Sequence, residues 1–95
     1  NTDYYRRIWH KIHKKSADVE RGEVYHSFFC AWLRSAVSTL PCPACRRHAI
    51  DYINRYPPES TKDLFYWGWL FHNSVNGRLD KGYYDYGQAR RDYGL

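Results

Sequence analysis

The sequence predicts an all-α fold: a four-helix bundle closed by a short fifth helix. Three observations carry this. Apolar residues recur at helical spacing in four stretches. Breakers stand between the stretches: Arg21-Gly22, Leu40-Pro41, Pro57-Pro58 and Gly77. No stretch alternates with a period of two, not even Tyr83–Tyr86, and no segment repeats. A chain of 95 residues is expected to form one domain spanning 1–95.

In the first helix, about Asp3 to Ser16, Tyr5, Ile8, Trp9 and Ile12 share one face. His13 lies one turn beyond Trp9, and Lys11, Lys14 and Lys15 fall mostly opposite. The second helix carries two stripes: Val24, Phe28, Ala31, Trp32 and Ser35, then Phe29, Leu33, Ala36 and Leu40. A helix apolar on two faces is expected in the core or at a subunit interface. It ends at Pro41, because the residue before a proline is pushed out of the α region. The third helix runs from about Pro43 to Tyr56 with Cys45, Ala49, Tyr52, Ile53 and Tyr56 inward. Arg46, Arg47, Asp51 and Arg55 point largely outward. Ser60, with Asp63 three residues on, has the pattern of a capping box for the fourth helix. That helix shows Leu64, Trp67, Gly68, Phe71 and Val75 on one face, and Phe65, Trp69, His72 and Asn76 on the next. Gly77 is expected to close it as a C′ glycine. Asp85 with Gln88 caps a fifth helix, about Asp85 to Tyr93.

The chemistry centres on Leu40-Pro41-Cys42-Pro43-Ala44-Cys45. Pro43 suits the first helical position, since its fixed φ fits and its missing N–H is not needed there. Cys42 then falls at the N-cap and Cys45 one turn in. Free amides and the positive end of the helix dipole lower the pKa of a thiol so placed. A Cys-x-x-Cys also serves as half a zinc site, and on this stretch alone the redox and zinc readings stand level. Zinc would need two more ligands. His48 is one candidate, and His10 with His13 a weak pair; no second Cys-x-x-Cys follows. A glutaredoxin-like domain would need βαβ units, which the pattern lacks. Cys30 sits between the two apolar stripes and is expected to be a buried, inert thiol.

Aromatic residues make up 19% of the chain, more than a small core uses, so some can stack on a planar ligand. The net charge of +5 fits an anionic partner, either nucleic acid or a phosphate-bearing cofactor. No apolar run reaches the ~18 residues that cross a bilayer, and no signal-peptide pattern is visible. The string His72-Asn73-Ser74-Val75-Asn76 is the second informative one. Asparagine is a poor helix former, and buried amides must find partners, which a polar planar ligand would supply.

These residues carry a resemblance. Trp9-x-x-x-His13 stands on the first helix, Pro41-Cys42-x-x-Cys45 opens the third, Trp67 followed by His72-Asn73-x-Val75-Asn76 stands on the fourth, and Leu79-x-Lys81 follows it. The chain resembles the Erv/ALR family of FAD-dependent sulfhydryl oxidases over about Ile8 to Tyr93. The family usually has glycine between the last two residues, where Asp80 stands here.

The resemblance implies a helical bundle that holds FAD and makes disulfides in substrate proteins. Cys42 and Cys45 would form the redox disulfide. Cys42 would exchange with the substrate dithiol, Cys45 would face the flavin, and the electrons would pass to molecular oxygen, giving hydrogen peroxide. Trp9, His13, Trp67, His72, Asn73, Val75 and Asn76 would line the cofactor pocket, with Tyr52 a further wall. Lys81 and Arg78 would meet the ribose and phosphates. The partners implied are protein dithiols or a Cys-x-x-Cys redox protein, oxygen, and a second copy in a homodimer; neither nucleic acid nor membrane is expected. The compact form is similar to those of large DNA viruses, which would place it in host cytoplasm or virion. A cellular member would work in an oxidising compartment such as the mitochondrial intermembrane space. The alternative is a basic helical zinc- or nucleic-acid-binding module using Cys42, Cys45 and His48.

Overall fold

A computed structural model describes residues 2–95. It contains α1 (Thr2–Glu20), α2 (His26–Ser38), α3 (Pro43–Arg55), a 3-10 turn (Pro58–Ser60), α4 (Leu64–Arg78) and α5 (Tyr86–Asp92). Among the described residues there is no strand. No described helix is long and apolar enough to cross a membrane.

α1 and α4 form the closest pair in the bundle. Gly68 allows this: a Cβ there would stand 3.5 Å from Ile12 Cγ2 and 3.7 Å from Ser16 Oγ. The main core gathers Ile12, Phe29, Leu33, Val37, Ile53, Leu64, Trp67 and Phe71 from all four long helices. Ala17, Phe65, Trp69 and Ala89 form a second cluster under α5. α5 is too short to hold itself by helix propensity. It is fastened to the end of α1 by Arg90 Nη2 to Glu20 Oε2 at 2.8 Å and by Arg21 donating to the Tyr93 carbonyl.

Several helix ends differ from expectation. α1 continues to Glu20, four residues past Ser16. Asp18 accepts from Lys14 at 2.9 Å and from Arg21 at 2.9 Å, which supports the extra turn. α2 starts at His26 rather than near Val24, and stops at Ser38, two residues short of Leu40. Of its first stripe only Trp32 packs, half-buried, against the core; Phe28 is 57% exposed, while Phe29, Cys30, Leu33 and Val37 are buried. Tyr56 is likewise exposed rather than inward, because α3 ends at Arg55 and Tyr56 turns away with ψ 76°. Ser60 belongs to the 3-10 turn; the cap of α4 is Asp63, whose carboxylate accepts from Tyr66 N at 3.0 Å. Gly77 is helical. α4 ends instead in a Schellman motif, Lys81 N to Asn76 O at 2.8 Å and Asp80 N to Gly77 O at 3.3 Å. Asp80 takes the left-handed position at φ +56°. The expected cap of α5 holds, with Asp85 accepting from Gln88 N at 2.9 Å.

Candidate active site

The local sequence at the start of α3 builds a thiol pair at a helix end. Cys42 is the N-cap with φ −78° and ψ 116°, and Pro43 occupies the first helical position. Cys42 Sγ accepts from Cys45 N at 3.2 Å, and Arg46 N donates to Cys42 O at 2.9 Å. Arg46 is not free for a partner: its Nη1 donates to Leu40 O at 2.7 Å and ties α3 to the end of α2. Cys42 N donates to the Tyr5 hydroxyl of α1 at 3.3 Å.

The two thiols differ. Hydrogen bonding from the Cys45 thiol, then from the Cys45 N–H, holds the Cys42 thiol below its ordinary pKa, and the Arg78 charge adds to this. Cys45 is raised, first because it donates to Cys42 and then by burial. Of the two, Cys42 is the thiol more easily deprotonated. Arg78, expected at phosphates, has its charge within reach of both sulfurs.

Beside the pair lies a cavity of about 970 Å³ walled by α1, α3, α4 and the stretch leading into α5. Cys45 is on its wall and Cys42 is not. Of the other expected site residues, Trp9, His13, Tyr52, His72, Val75, Asn76, Arg78 and Lys81 line it. Trp67 and Asn73 stand behind it. Trp67 packs in the core against Tyr52 and Phe71, and its Nε1 donates to Tyr56 O at 2.9 Å. Asn73 holds the following segment in place, its amide donating to Tyr84 O and accepting from Tyr84 N, both at 2.8 Å. Both residues set the wall's position rather than forming its surface.

The far wall is an aromatic and imidazole stack. Trp9 and His72 lie parallel, 4.1 Å apart at 5°. His13 Nε2 and His72 Nδ1 share a hydrogen bond of 2.7 Å. Burial pushes His13 down to about 3, and the neighbouring His72 adds to it; burial pushes His72 down to about 4. Both rings are neutral at neutral pH, so one proton lies between them. His13 is 1% exposed, and its Nδ1 has no partner. It is an idle acceptor or an idle donor according to which ring carries the shared proton. Buried polar atoms left in this way are uncommon, and a ligand that enters the cavity can satisfy this one.

Tyr5, Tyr84 and Tyr93 also line the cavity, and sequence reasoning did not single them out for the site; His10, weighed there only as half of a weak zinc pair, lines it too. Tyr5 stands one turn before Trp9, so the helical register placed it beside a site residue. Tyr84 comes from a non-periodic stretch and Tyr93 from the end of the short fifth helix, and neither offers such a signal. Among the described residues, no group of three or more His, Cys, Asp or Glu side chains is placed to hold a metal ion. Cys42, Cys45 and His48 thus gain no further ligand from the fold.

The Erv1 / Alr family model matches residues 6–94. The chain belongs to the Erv1 / Alr family. It is 34% identical over 64 residues to the FAD-linked sulfhydryl oxidase of African swine fever virus (isolate Warthog/Namibia/Wart80/1980), covering 65% of this chain and 54% of that protein. It is 31% identical over 96 residues to the putative FAD-linked sulfhydryl oxidase 088R of Frog virus 3 (isolate Goorha), covering 93% and 64%. Sulfhydryl oxidase 1 of Arabidopsis thaliana is 32% identical over 78 residues, 78% of this chain and 14% of the plant protein. The chain spans about half the length of the swine fever virus relative. Within the Erv1 / Alr frame Cys45, the Trp9–His13 face and the His72–Asn76 face meet around one cavity.

Proposed function

We propose that the chain is one FAD-dependent sulfhydryl oxidase domain that makes disulfides in substrate proteins through a Cys42–Cys45 redox pair. The observation that carries this is the placement of the pair. Cys45 faces a large aromatic-lined cavity, while Cys42, the lower-pKa thiol, stays outside it. Family membership and the names of the relatives support the same reading.

The cavity suits FAD on its own chemistry. It offers the parallel Trp9 and His72 rings and Tyr52 for a planar ring system, and the unpartnered His13 Nδ1 for a ring heteroatom. Asn76 adds an amide, and Arg78 and Lys81 supply positive charge for a pyrophosphate. When bound, FAD supplies two-electron redox chemistry, taking the dithiol's electron pair and delivering it to molecular oxygen to give hydrogen peroxide.

The chain's residues perform the thiol steps. With the pair oxidised, a substrate thiolate attacks Cys42, which is reachable from outside the cavity, and Cys45 leaves as thiolate on the cavity side. A second substrate thiol resolves the mixed disulfide and frees Cys42. Arg47 is exposed near this rim and favours acidic partners; Arg46 is occupied by its bond to Leu40. The natural partner would carry its own Cys-x-x-Cys-type pair, because a second thiol must resolve the intermediate. Exposed Tyr25 (84%) at the N-cap of α2 and exposed Phe28 on α2 support pairing of two copies through α1 and α2.

Purified protein should be yellow, with one non-covalent FAD per chain, and should consume oxygen when given dithiothreitol. A folded, colourless protein that ignores FAD and dithiothreitol overturns the reading. In its native setting, Cys45→Ser should trap a thiol-sensitive adduct through Cys42; adducts that depend on Cys30 would show another point of entry.

A further inference from the structure

The thiol pair touches a residue that the family motifs do not include. Tyr5 lies on α1, 37 residues before Cys42 in sequence, and its hydroxyl oxygen accepts from Cys42 N at 3.3 Å. That bond uses an oxygen lone pair and leaves the hydroxyl's own hydrogen to be directed elsewhere. Tyr5 and Cys45 line the same cavity wall. We propose that Tyr5 is a positioning residue for dithiol exchange: anchored on Cys42 N–H, its hydroxyl donates to Cys45 Sγ and makes Cys45 the leaving group. This rests on the dithiol-oxidase reading above and names the residue that gives the exchange its direction.

The hydroxyl couples to both cysteines in the sense this requires. Cys45 is raised overall by its bond to Cys42 and by burial, and the Tyr5 hydroxyl acts against this; burial raises the Tyr5 phenol, Cys45 adds to it, and the Cys42 N–H acts the other way. A donor to a sulfur favours that sulfur's thiolate.

The step balances without another reactant. The substrate thiolate forms a bond to Cys42 Sγ. The Cys42–Cys45 bond breaks, and its electron pair leaves on Cys45 Sγ, where the Tyr5 O–H meets it. The second substrate thiol loses its proton to solvent and attacks the substrate sulfur of the mixed disulfide. The substrate disulfide forms and Cys42 leaves as thiolate. The substrate has lost two electrons and the cysteine pair has gained them. Attack on Cys42 expels the sulfur that has a hydrogen-bond donor; attack on Cys45 would expel the one that does not receive this hydroxyl. Exchange is faster when the leaving thiol has the lower pKa; the hydrogen bond to the Cys42 thiolate that holds Cys45 up in the reduced pair is absent once Cys42 is bonded to the substrate sulfur, and the Tyr5 donor is then what favours Cys45 as the leaving group.

The test uses the full chain carrying Cys30→Ala and Cys42→Ser, which leaves Cys45 as its single thiol. The rate of iodoacetamide alkylation of Cys45 is followed by mass spectrometry against pH, with Tyr5 and with Tyr5→Phe. Tyr5→Phe keeps the ring and removes only the hydroxyl. It should raise the alkylation midpoint by about one pH unit, the size expected for one hydrogen bond to a charged group. Tyr4→Phe, its ring neighbour, should leave the midpoint unchanged. In the chain with all three cysteines, Tyr5→Phe should slow dithiothreitol reduction of the Cys42–Cys45 disulfide about threefold, from a Brønsted slope near one half. An alkylation midpoint that stays in place or falls in Tyr5→Phe overturns the proposal, since lost packing alone would not move it upward. A chain that never oxidises dithiothreitol defeats the functional reading instead, and the alkylation profile still reports on Tyr5 and Cys45.

Discussion

Acid should destabilise this fold well before its carboxylates are neutralised, because of His13 and His72. Both rings are held neutral in the folded state, His13 down to about 3 and His72 down to about 4. In the unfolded chain each titrates near 6.5. The folded pKa values are depressed, so the unfolded state takes up protons first, and stability falls as pH drops through the unfolded value. The loss begins near pH 7 and levels off only around the folded values. Between pH 7 and 5 one such histidine costs about 2 kcal/mol, and this depends almost wholly on the unfolded pKa. His72 is only partly buried, so its share is smaller, and the pair together should cost about 3 kcal/mol. Urea unfolding followed by circular dichroism at half-unit pH steps measures this directly. The slope of unfolding free energy against pH near 5.5 should correspond to more than one proton bound on unfolding. A stability that stays flat from pH 7 to 5 would refute the buried neutral pair.

Asp80→Gly should raise stability by about 0.5–1 kcal/mol, since φ +56° strains a residue with a Cβ; a lower urea midpoint would count against strain there. Cys45→Ser and Cys42→Ser should each abolish dithiothreitol-driven oxygen consumption, with a long-wavelength thiolate–flavin absorbance in Cys42→Ser alone; its appearance in Cys45→Ser would reverse the two roles. Cys30 is 2% exposed, its thiol is pushed up to about 11 by burial, and its Sγ lies 3.7 Å from His26 Nδ1. Cys30→Ala should turn over near the wild-type rate, and a tenfold loss with the fold intact would show a redox role.

The helical class and the order of the helices were legible because each depends on local signals. Helical spacing of Ile8, Trp9, Ile12, Leu64, Trp67 and Phe71 records which face is buried, and Pro41, Pro43 and Pro57 act on φ whatever surrounds them. The Cys42 N-cap was legible for the same reason: a proline on each side leaves one place for the helix to start. Helix ends that depend on distant or competing partners were not. Gly77 and Asp80 both suit a left-handed cap, and the Schellman bonds to Asn76 and Gly77 decided for Asp80. Ser60 and Asp63 competed in the same way, and the 3-10 turn of Pro58–Ser60 left the cap to Asp63.

At the site, local pattern identified residue types but not their side of the wall. Trp67 and Trp9 both sit on apolar faces, yet one packs behind the cavity and the other stacks on its lining. The difference arises because the close α1–α4 contact at Gly68 fixes how the two faces meet. The hydrogen bond between His13 and His72 joins residues 59 apart. The Tyr5 contact with Cys42 spans 37. Within each helix the sequence settles which residues share a face, because helical geometry is local. Which atom of one helix meets which atom of another is settled only by packing, and the site is built from those meetings.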